Sequence, residues 1–202
     1  MFLKVQPYPH PMKIVLLGGK DLSGEMLDYL VHEEKEVVAI ICNPDEKKTW
    51  FTPLQDKAKS LGMEVCTPKN INDPHFITQI KELAPDIAFC NYYSQILQKD
   101  FLDIFPKGVI NLHFAPLPKY RGCMPSTWAI INGEKQHGIT MHYMDEGIDS
   151  GDIISQKMFD IEENDTGFDL YRKCEHAGLF LFKETFPFIE SGENKRSKQD
   201  NA

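Results

Sequence analysis

Lys13-Ile14-Val15-Leu16-Leu17-Gly18-Gly19 decides the fold class of this chain. A strand with one face in water alternates apolar and polar residues, whereas an unbroken apolar run ending in glycine reads as a strand buried on both faces of a parallel sheet. Asp21 or Ser23 can cap the helix that follows, over residues 24–32. Glu36-Val37-Val38-Ala39-Ile40-Ile41-Cys42 is a second buried strand, and Pro44 to Thr52 reads as a mobile loop. Pro53 suits the first turn of a helix reaching Leu61, and Met63-Glu64-Val65-Cys66 is a short strand. Asn72 or Asp73 caps a helix over residues 74–83, Ile87-Ala88-Phe89-Cys90 is a strand, and a short helix near residues 98–105 leads into the strand Gly108-Val109-Ile110. Beyond it lie a helix over residues 125–131, strands over 139–144 and 153–159, and a long amphipathic helix over 167–189. The βαβ rhythm with right-handed crossovers predicts an α/β fold: a doubly wound, mostly parallel, Rossmann-like sheet of about seven strands with flanking helices.

At 202 residues the chain suits a single domain with a full core. The sequence divides into an N-terminal extension (1–11), one domain (12–190) and a polar tail (191–202) whose composition predicts disorder. A net charge of −8 disfavours a nucleic-acid backbone as main partner, because such partners demand clustered Lys and Arg. Five cysteines, odd in number and never in CxxC spacing, read as free thiols in a reducing compartment. No apolar stretch approaches the roughly 18 residues of a membrane span, and residues 1–11 lack the apolar core of a signal peptide. These features place the protein in the cytoplasm and away from membranes.

The chemistry concentrates at Asn111-Leu112-His113 and at Asp149, within Asp145-Glu146-Gly147-Ile148-Asp149-Ser150-Gly151. Asn can hold a developing oxyanion, His can move a proton near neutral pH, and Asp can orient and charge-balance the imidazole. Asn111 and His113 share strand parity, so their side chains point to one side. They stand at a strand end, where open α/β sheets bind ligands. Taken alone, an Asn and a His capping a strand end also account for the pair. The proline-stiffened loop Leu117-Pro118-Lys119-Tyr120-Arg121-Gly122 follows, bringing two cations beside the site and an X-Pro bond that can be cis. Gly18-Gly19-Lys20-Asp21-Leu22-Ser23-Gly24 fits neither GxGxxG nor GxxxxGK[ST], which argues against dinucleotide and nucleoside-triphosphate sites. His137 and His142 lack partners at metal-ligand spacing, so no metal is expected. Trp50-Phe51 reads equally as a hinge staple and as a stacking surface for a base or sugar.

From residue 12 to residue 189 the sequence resembles the formyltransferase family that uses 10-formyltetrahydrofolate. The resemblance rests on ordered motifs between Asn111 and Asp152: Asn-Leu-His, Leu-Pro-Lys-Tyr-Arg-Gly, a Pro opening a helix, Asn-Gly-Glu-Lys, Gly-Ile-Thr and Asp-Glu-Gly-Ile-Asp-Ser-Gly. It implies that Asn111, His113 and Asp149 are the catalytic set. It implies that the pterin of the donor is held between two segments, Tyr93-Ser94-Gln95-Ile96-Leu97 and Asp145-Glu146-Gly147-Ile148, and that Lys119, Arg121 and Gly122 face the acceptor. The implied reaction is formyl transfer to a primary amine, with Asn111 and a protonated His113 stabilising the oxyanion and Asp149 helping to remove the amine proton.

The acceptor is read by elimination among relatives. Purine-pathway members carry a glycine-serine-asparagine phosphate loop where this chain has Gly18-Gly19-Lys20-Asp21. Initiator-tRNA formyltransferases append a basic C-terminal domain, and formyltetrahydrofolate hydrolases an N-terminal regulatory one. Sugar-nucleotide N-formyltransferases remain, so the resemblance implies a nucleotide-linked amino sugar as acceptor and allows a homodimer. A methionyl-tRNA acceptor is the runner-up, followed by a hydrolase or a non-catalytic folate- or nucleotide-binding module.

Overall fold

Ile14, Val15, Leu16 and Leu17 are fully buried and alternate between two cores, one on each face of a sheet. This computed structural model describes residues 11–44, 46 and 49–200. Residues 1–10 of the N-terminal extension lie outside the described residues, as do parts of the loop expected between Pro44 and Thr52.

In chain order the elements are β1 (Lys13–Gly18), α1 (Lys20–His32), β2 (Glu36–Cys42), α2 (Leu54–Ser60), α3 (Pro74–Glu82), β3 (Ile87–Asn91), α4 (Lys99–Leu102), β4 (Val109–His113), α5 (Pro125–Ile131), β5 (Gln136–Tyr143), β6 (Ile153–Asp160) and α6 (Gly167–Ser191). The strands lie in the order β2-β1-β3-β4-β5-β6. The first four are parallel, as continuous apolar runs joined by helices require, and β5 and β6 are antiparallel.

The sheet has six strands where the sequence suggests about seven. Met63-Glu64-Val65-Cys66 contributes only an isolated parallel bridge, with Cys66 N–H on the Ile40 carbonyl and Cys42 N–H on that of Cys66, both at 2.8 Å. A single residue in register at the sheet edge cannot propagate a ladder. The start of α1 also differs. Asp21 and Ser23 lie inside the helix and cap nothing: Asp21 accepts the Thr52 N–H at 2.8 Å and Ser23 donates to the Asn91 carbonyl at 3.0 Å. At α3 the expected cap is present, with Asp73 accepting the His75 and Phe76 N–H groups.

The helices α1 and α6 cover one face of the sheet, where Phe89, Phe182 and Phe186 pack edge-on and tilted at 5.1–5.8 Å. On the other face α3 and α4 pack against Val15, Leu17, Ala88, Cys90 and Val109. This division sets the site. Ile110 and Leu112 of β4, with Phe114 just beyond it, enter the α1/α6 core, so Asn111 and His113 project on the opposite side, at the carboxyl end of the strand.

Composition predicts disorder from Ser191 onward, yet the chain there is laid along the molecule. A Thr166–Asp169 capping box starts α6, which runs through Ser191 to a left-handed Gly192. Residues 193–200 then return along the outside of β6, where Ser197 pairs with Ile153 through two backbone hydrogen bonds of 2.7 and 2.9 Å. The polarity that suggested disorder is spent on hydrogen bonds to the β5–β6 loop. Trp50 and Phe51 meet edge-on at 5.1 Å and join Phe168 and Tyr171 in an aromatic cluster, with the Lys20 ammonium 4.0 Å from the centroid of neighbouring Tyr92. Among the described residues no helix is long and apolar enough to cross a membrane.

Candidate active site

The antiparallel register of β4 and β5 places Asn111 opposite His142 and His113 opposite Thr140. The β5–β6 loop then folds back so that the Asp149 carboxylate stands between the two strands' side chains. Its Oδ1 lies 3.4 Å from Asn111 Nδ2 and 3.5 Å from His142 Nε2, and its Oδ2 lies 3.5 Å from His113 Nδ1. The Gly122 N–H donates to Oδ2 at 2.9 Å. Asp149 holds this position with a backbone φ of 50°, a left-handed conformation that Asp tolerates better than most side chains. Gly151 is required two residues on, because a Cβ there would run into the Tyr143 carbonyl.

Neighbouring carbonyls assign the protons. His113 Nε2 is 2.7 Å from the Tyr120 carbonyl, which can only accept, so Nε2 carries a hydrogen and Nδ1 faces Asp149. His142 Nδ1 likewise donates to the Tyr143 carbonyl at 2.8 Å. His142 Nε2 accepts from Asn111 Nδ2 at 3.2 Å when the ring is neutral and donates to Asp149 Oδ1, 3.5 Å away, when it is charged; the Asn111 amide nitrogen faces both groups. The reverse orientation would put an amide oxygen against a carboxylate.

Burial pushes the His113 pKa below its ordinary value and outweighs the opposing pull of Asp149 and of the Tyr120 hydrogen bond. The resting imidazole is therefore neutral near pH 7, and the protonated ring that the resemblance implies would arise during transfer. Burial pulls the Asp149 carboxyl upward, but His142, His113 and the Gly122 N–H together win and hold it below the usual carboxylate range. The two directions are compatible. Asp149 has the Gly122 N–H, the Asn111 amide and two imidazoles around it, whereas His113 is nearly enclosed and has one carboxylate to offset its desolvation.

The loop after β4 is anchored from below. Thr140, fully buried, donates through Oγ1 to the Ala115 carbonyl at 2.6 Å and accepts the Leu117 N–H at 3.0 Å. Gln156 Nε2 donates to Thr140 Oγ1 at 2.9 Å and to the Leu117 carbonyl at 2.7 Å. The Leu117–Pro118 bond is cis. Of the three residues expected at the acceptor, Gly122 touches Asp149, Arg121 is bound to Gln199, and Lys119 is largely exposed with its ammonium 4.0 Å from Glu134.

Of the two segments expected at the donor, the first puts Tyr93 and Leu97 in the same apolar cluster as Met144, the residue just before the second. Ser94 N–H is held by Asn43 at 2.8 Å, and Gln95 bonds to Ile71 N–H and the Pro68 carbonyl, so these side chains shape the loop from behind. Asp145 accepts from Gly147 N–H and Ser150 within its own loop. Ile96 and Ile148 stay exposed, at 73% and 66%, offering one apolar side chain from each segment, while Glu146 is also exposed. Among the described residues no group of three His, Cys, Asp or Glu side chains is placed to hold a metal. A groove of about 900 Å³ between β6 and α6 shares no lining residue with the site.

The family model for formyl transferases matches residues 12–185, which span the whole constellation. The chain belongs to the formyl transferase family. Methionyl-tRNA formyltransferase of Clostridioides difficile (strain 630) is 37% identical over 195 residues, covering 94% of this chain and 63% of that protein. The bifunctional polymyxin resistance protein ArnA of Wigglesworthia glossinidia brevipalpis is 38% identical over 181 residues, covering 88% of this chain and 28% of that protein. The solved N-formyltransferase from Helicobacter canadensis, in complex with folinic acid and dTDP-3-aminofucose, superposes with a TM-score of 0.81 at 29% identity, covering 94% of this chain and 68% of that one. This formyl transferase chain thus spans less than two thirds of the tRNA enzyme it matches.

Two residues of this constellation escape sequence reasoning. His142 is legible only once β4 and β5 are paired in register, because its contacts with Asn111 and Asp149 are cross-strand. Gln199 lies in a stretch whose composition carries no signal.

Proposed function

We propose that this chain transfers the formyl group of 10-formyltetrahydrofolate to a primary amine, and that the amine belongs to a nucleotide-linked amino sugar. The single observation that carries the chemistry is the Asp149 carboxylate lying between Asn111 and His113 at the end of β4. The donor supplies an activated formyl carbon beside this set, with its ring system between the 93–97 and 145–148 segments. Negative charge grows on the formyl oxygen as the amine attacks, and the Asn111 amide N–H that rests 3.4 Å from Asp149 Oδ1 turns to it, while the other stays on His142. The neutral His113 takes the amine proton at Nδ1 and becomes an imidazolium facing Asp149. That proton then passes to the departing nitrogen of the tetrahydrofolate product, so no proton is gained or lost overall.

A small acceptor fits a net charge of −8 and a loop whose two cations already have partners in Gln199 and Glu134. The Helicobacter canadensis relative supports the same reading, since its structure holds dTDP-3-aminofucose. A methionyl-tRNA acceptor is the second reading, favoured by the name of the 37% identical relative. Incubation with 10-formyltetrahydrofolate and either dTDP-linked amino sugars or methionyl-tRNA, followed by mass spectrometry of the acceptor, separates them. Formylated sugar is the expected product. Transfer to the tRNA alone would establish the second reading, and transfer to neither would overturn the proposal.

A further inference from the structure

Gln199 stands well beyond the motifs that define the site, yet the residue is only 9% exposed. Its amide uses its full hydrogen-bonding capacity. Oε1 accepts from Arg121 Nε at 3.0 Å and Nη2 at 2.7 Å, and Nε2 donates to the carbonyls of Asp149 at 2.8 Å and Gly151 at 2.7 Å. The elements so joined are the two halves of one catalytic contact. Arg121 immediately precedes Gly122, whose N–H holds Asp149 Oδ2, and the Asp149 carbonyl belongs to the residue that supplies this carboxylate. Gln199 therefore ties the backbone of one partner, Asp149, to the side chain of Arg121, the residue next to the other.

The segment carrying Gln199 is itself fastened. Ser197 pairs with Ile153, Arg196 Nε donates to Asp152 at 2.8 Å with its guanidinium 4.1 Å from the Tyr143 ring centroid, and Asn194 donates to the Tyr143 hydroxyl at 3.0 Å. Asp149 needs such support, since a left-handed backbone at a non-glycine residue persists only where its surroundings over-determine it. No charged side chain can replace the amide. A carboxylate would repel the two carbonyls, and an ammonium would repel Arg121.

We propose that Gln199 is a positioning residue for formyl transfer: it locks the 119–122 loop to the Asp149 loop and keeps the carboxylate at its working distance from His113 without touching substrate. The inference rests on the function proposed above. It also gives Arg121 a role in the clamp rather than as a free anchor for an acceptor's anion.

Three measurements on the full chain test it. Hydrogen exchange by mass spectrometry, which needs no turnover, compares wild type with Gln199→Leu. Peptides covering residues 119–123 and 145–152 should exchange faster, and those covering β3 and β4 should not change. With the amine that the wild type formylates, Gln199→Leu should lower kcat at least about tenfold, a larger factor than any rise in the donor KM. Gln199→Glu should recover activity relative to wild type as pH falls, because the protonated carboxyl is isosteric with the amide and regains one donor. Unchanged exchange in both loops, or an increase spread evenly over the chain, would overturn the clamp. Activity of Gln199→Glu that runs parallel to wild type at every pH would overturn it too. A wild-type chain that formylates no amine would refute the proposed function, and the exchange comparison would still decide whether Gln199 positions Asp149.

Discussion

Asp149→Asn removes one negative charge and keeps the shape that carries it. Asn retains an oxygen for the Gly122 N–H, now at 2.9 Å, and tolerates the φ of 50° as Asp does. On the proposed mechanism, what is lost is the attraction between the carboxylate and the imidazolium that His113 becomes on taking the amine proton. The groups are 3.5 Å apart. With an effective dielectric constant of about 20, that attraction is about 5 kcal/mol. Because it is absent while the ring is neutral, it counts in the transition state and hardly in the ground state. At 1.36 kcal/mol per decade, kcat should fall by about a thousandfold or somewhat more. Single-turnover transfer at saturating donor and acceptor isolates the chemical step from product release. The donor KM should stay within about threefold and the melting temperature within a few degrees, since the fold keeps its contacts. The acid limb of the kcat/KM profile supplies an independent sign. Burial lowers the His113 pKa and Asp149 partly restores it, so removing the charge should shift that limb to lower pH. A variant that keeps more than about a tenth of the wild-type single-turnover rate would refute the reasoning, because His113 would then carry no charge that Asp149 stabilises.

Other outcomes follow from the same structure. Thr140→Val keeps the volume but leaves the Ala115 carbonyl and the Leu117 N–H with only their mutual 3.1 Å contact, and should cost about 1–3 kcal/mol in urea unfolding; a loss below about 0.5 kcal/mol would mean that this contact, water or relaxation satisfies both groups. Gly151→Ala forces a Cβ against the Tyr143 backbone carbonyl, so the Asp149 loop must move; unfolding should show a loss of about 2 kcal/mol or more, and turnover should fall with it. The pKa values of His113 and His137 both lie below the ordinary 6.5, so below that pH the folded state binds fewer protons than the unfolded chain. Stability should therefore fall as pH drops from 6.5 toward the lowered folded values, and His137→Gln should reduce that slope in melting temperatures measured across the range. An unchanged slope in that variant would show that His137 is not buried as a neutral ring.

The sequence alone determined the layers. Ile14 to Leu17, Val37 to Ile41 and Ile87 to Cys90 have no polar face, so only a sheet covered on both sides can bury them, and helices at the intervening caps and prolines supply the cover. It also determined that Asn111 and His113 look the same way, because strand parity is a local property of the backbone. Local chemistry could not settle the helix start at Lys20, where Asp21 and Ser23 find partners in Thr52 and Asn91 that are distant in sequence. Nor could it settle the seventh strand, since Met63 to Cys66 has a strand's composition but only one residue in register at the edge.

The tertiary structure decided which of several polar residues work together. His142 reaches Asn111 through the pairing of β4 with β5, and Asp149 reaches His113 through a left-handed turn that Gly122 and Gln199 hold in place. It also set the charge of the resting His113, because desolvation depends on everything packed around the ring and no short stretch of sequence encodes it. The tail shows the same limit most plainly. Composition reports how polar a segment is, whereas order depends on whether its donors and acceptors meet partners, and the partners of Gln199 lie at Arg121, Asp149 and Gly151.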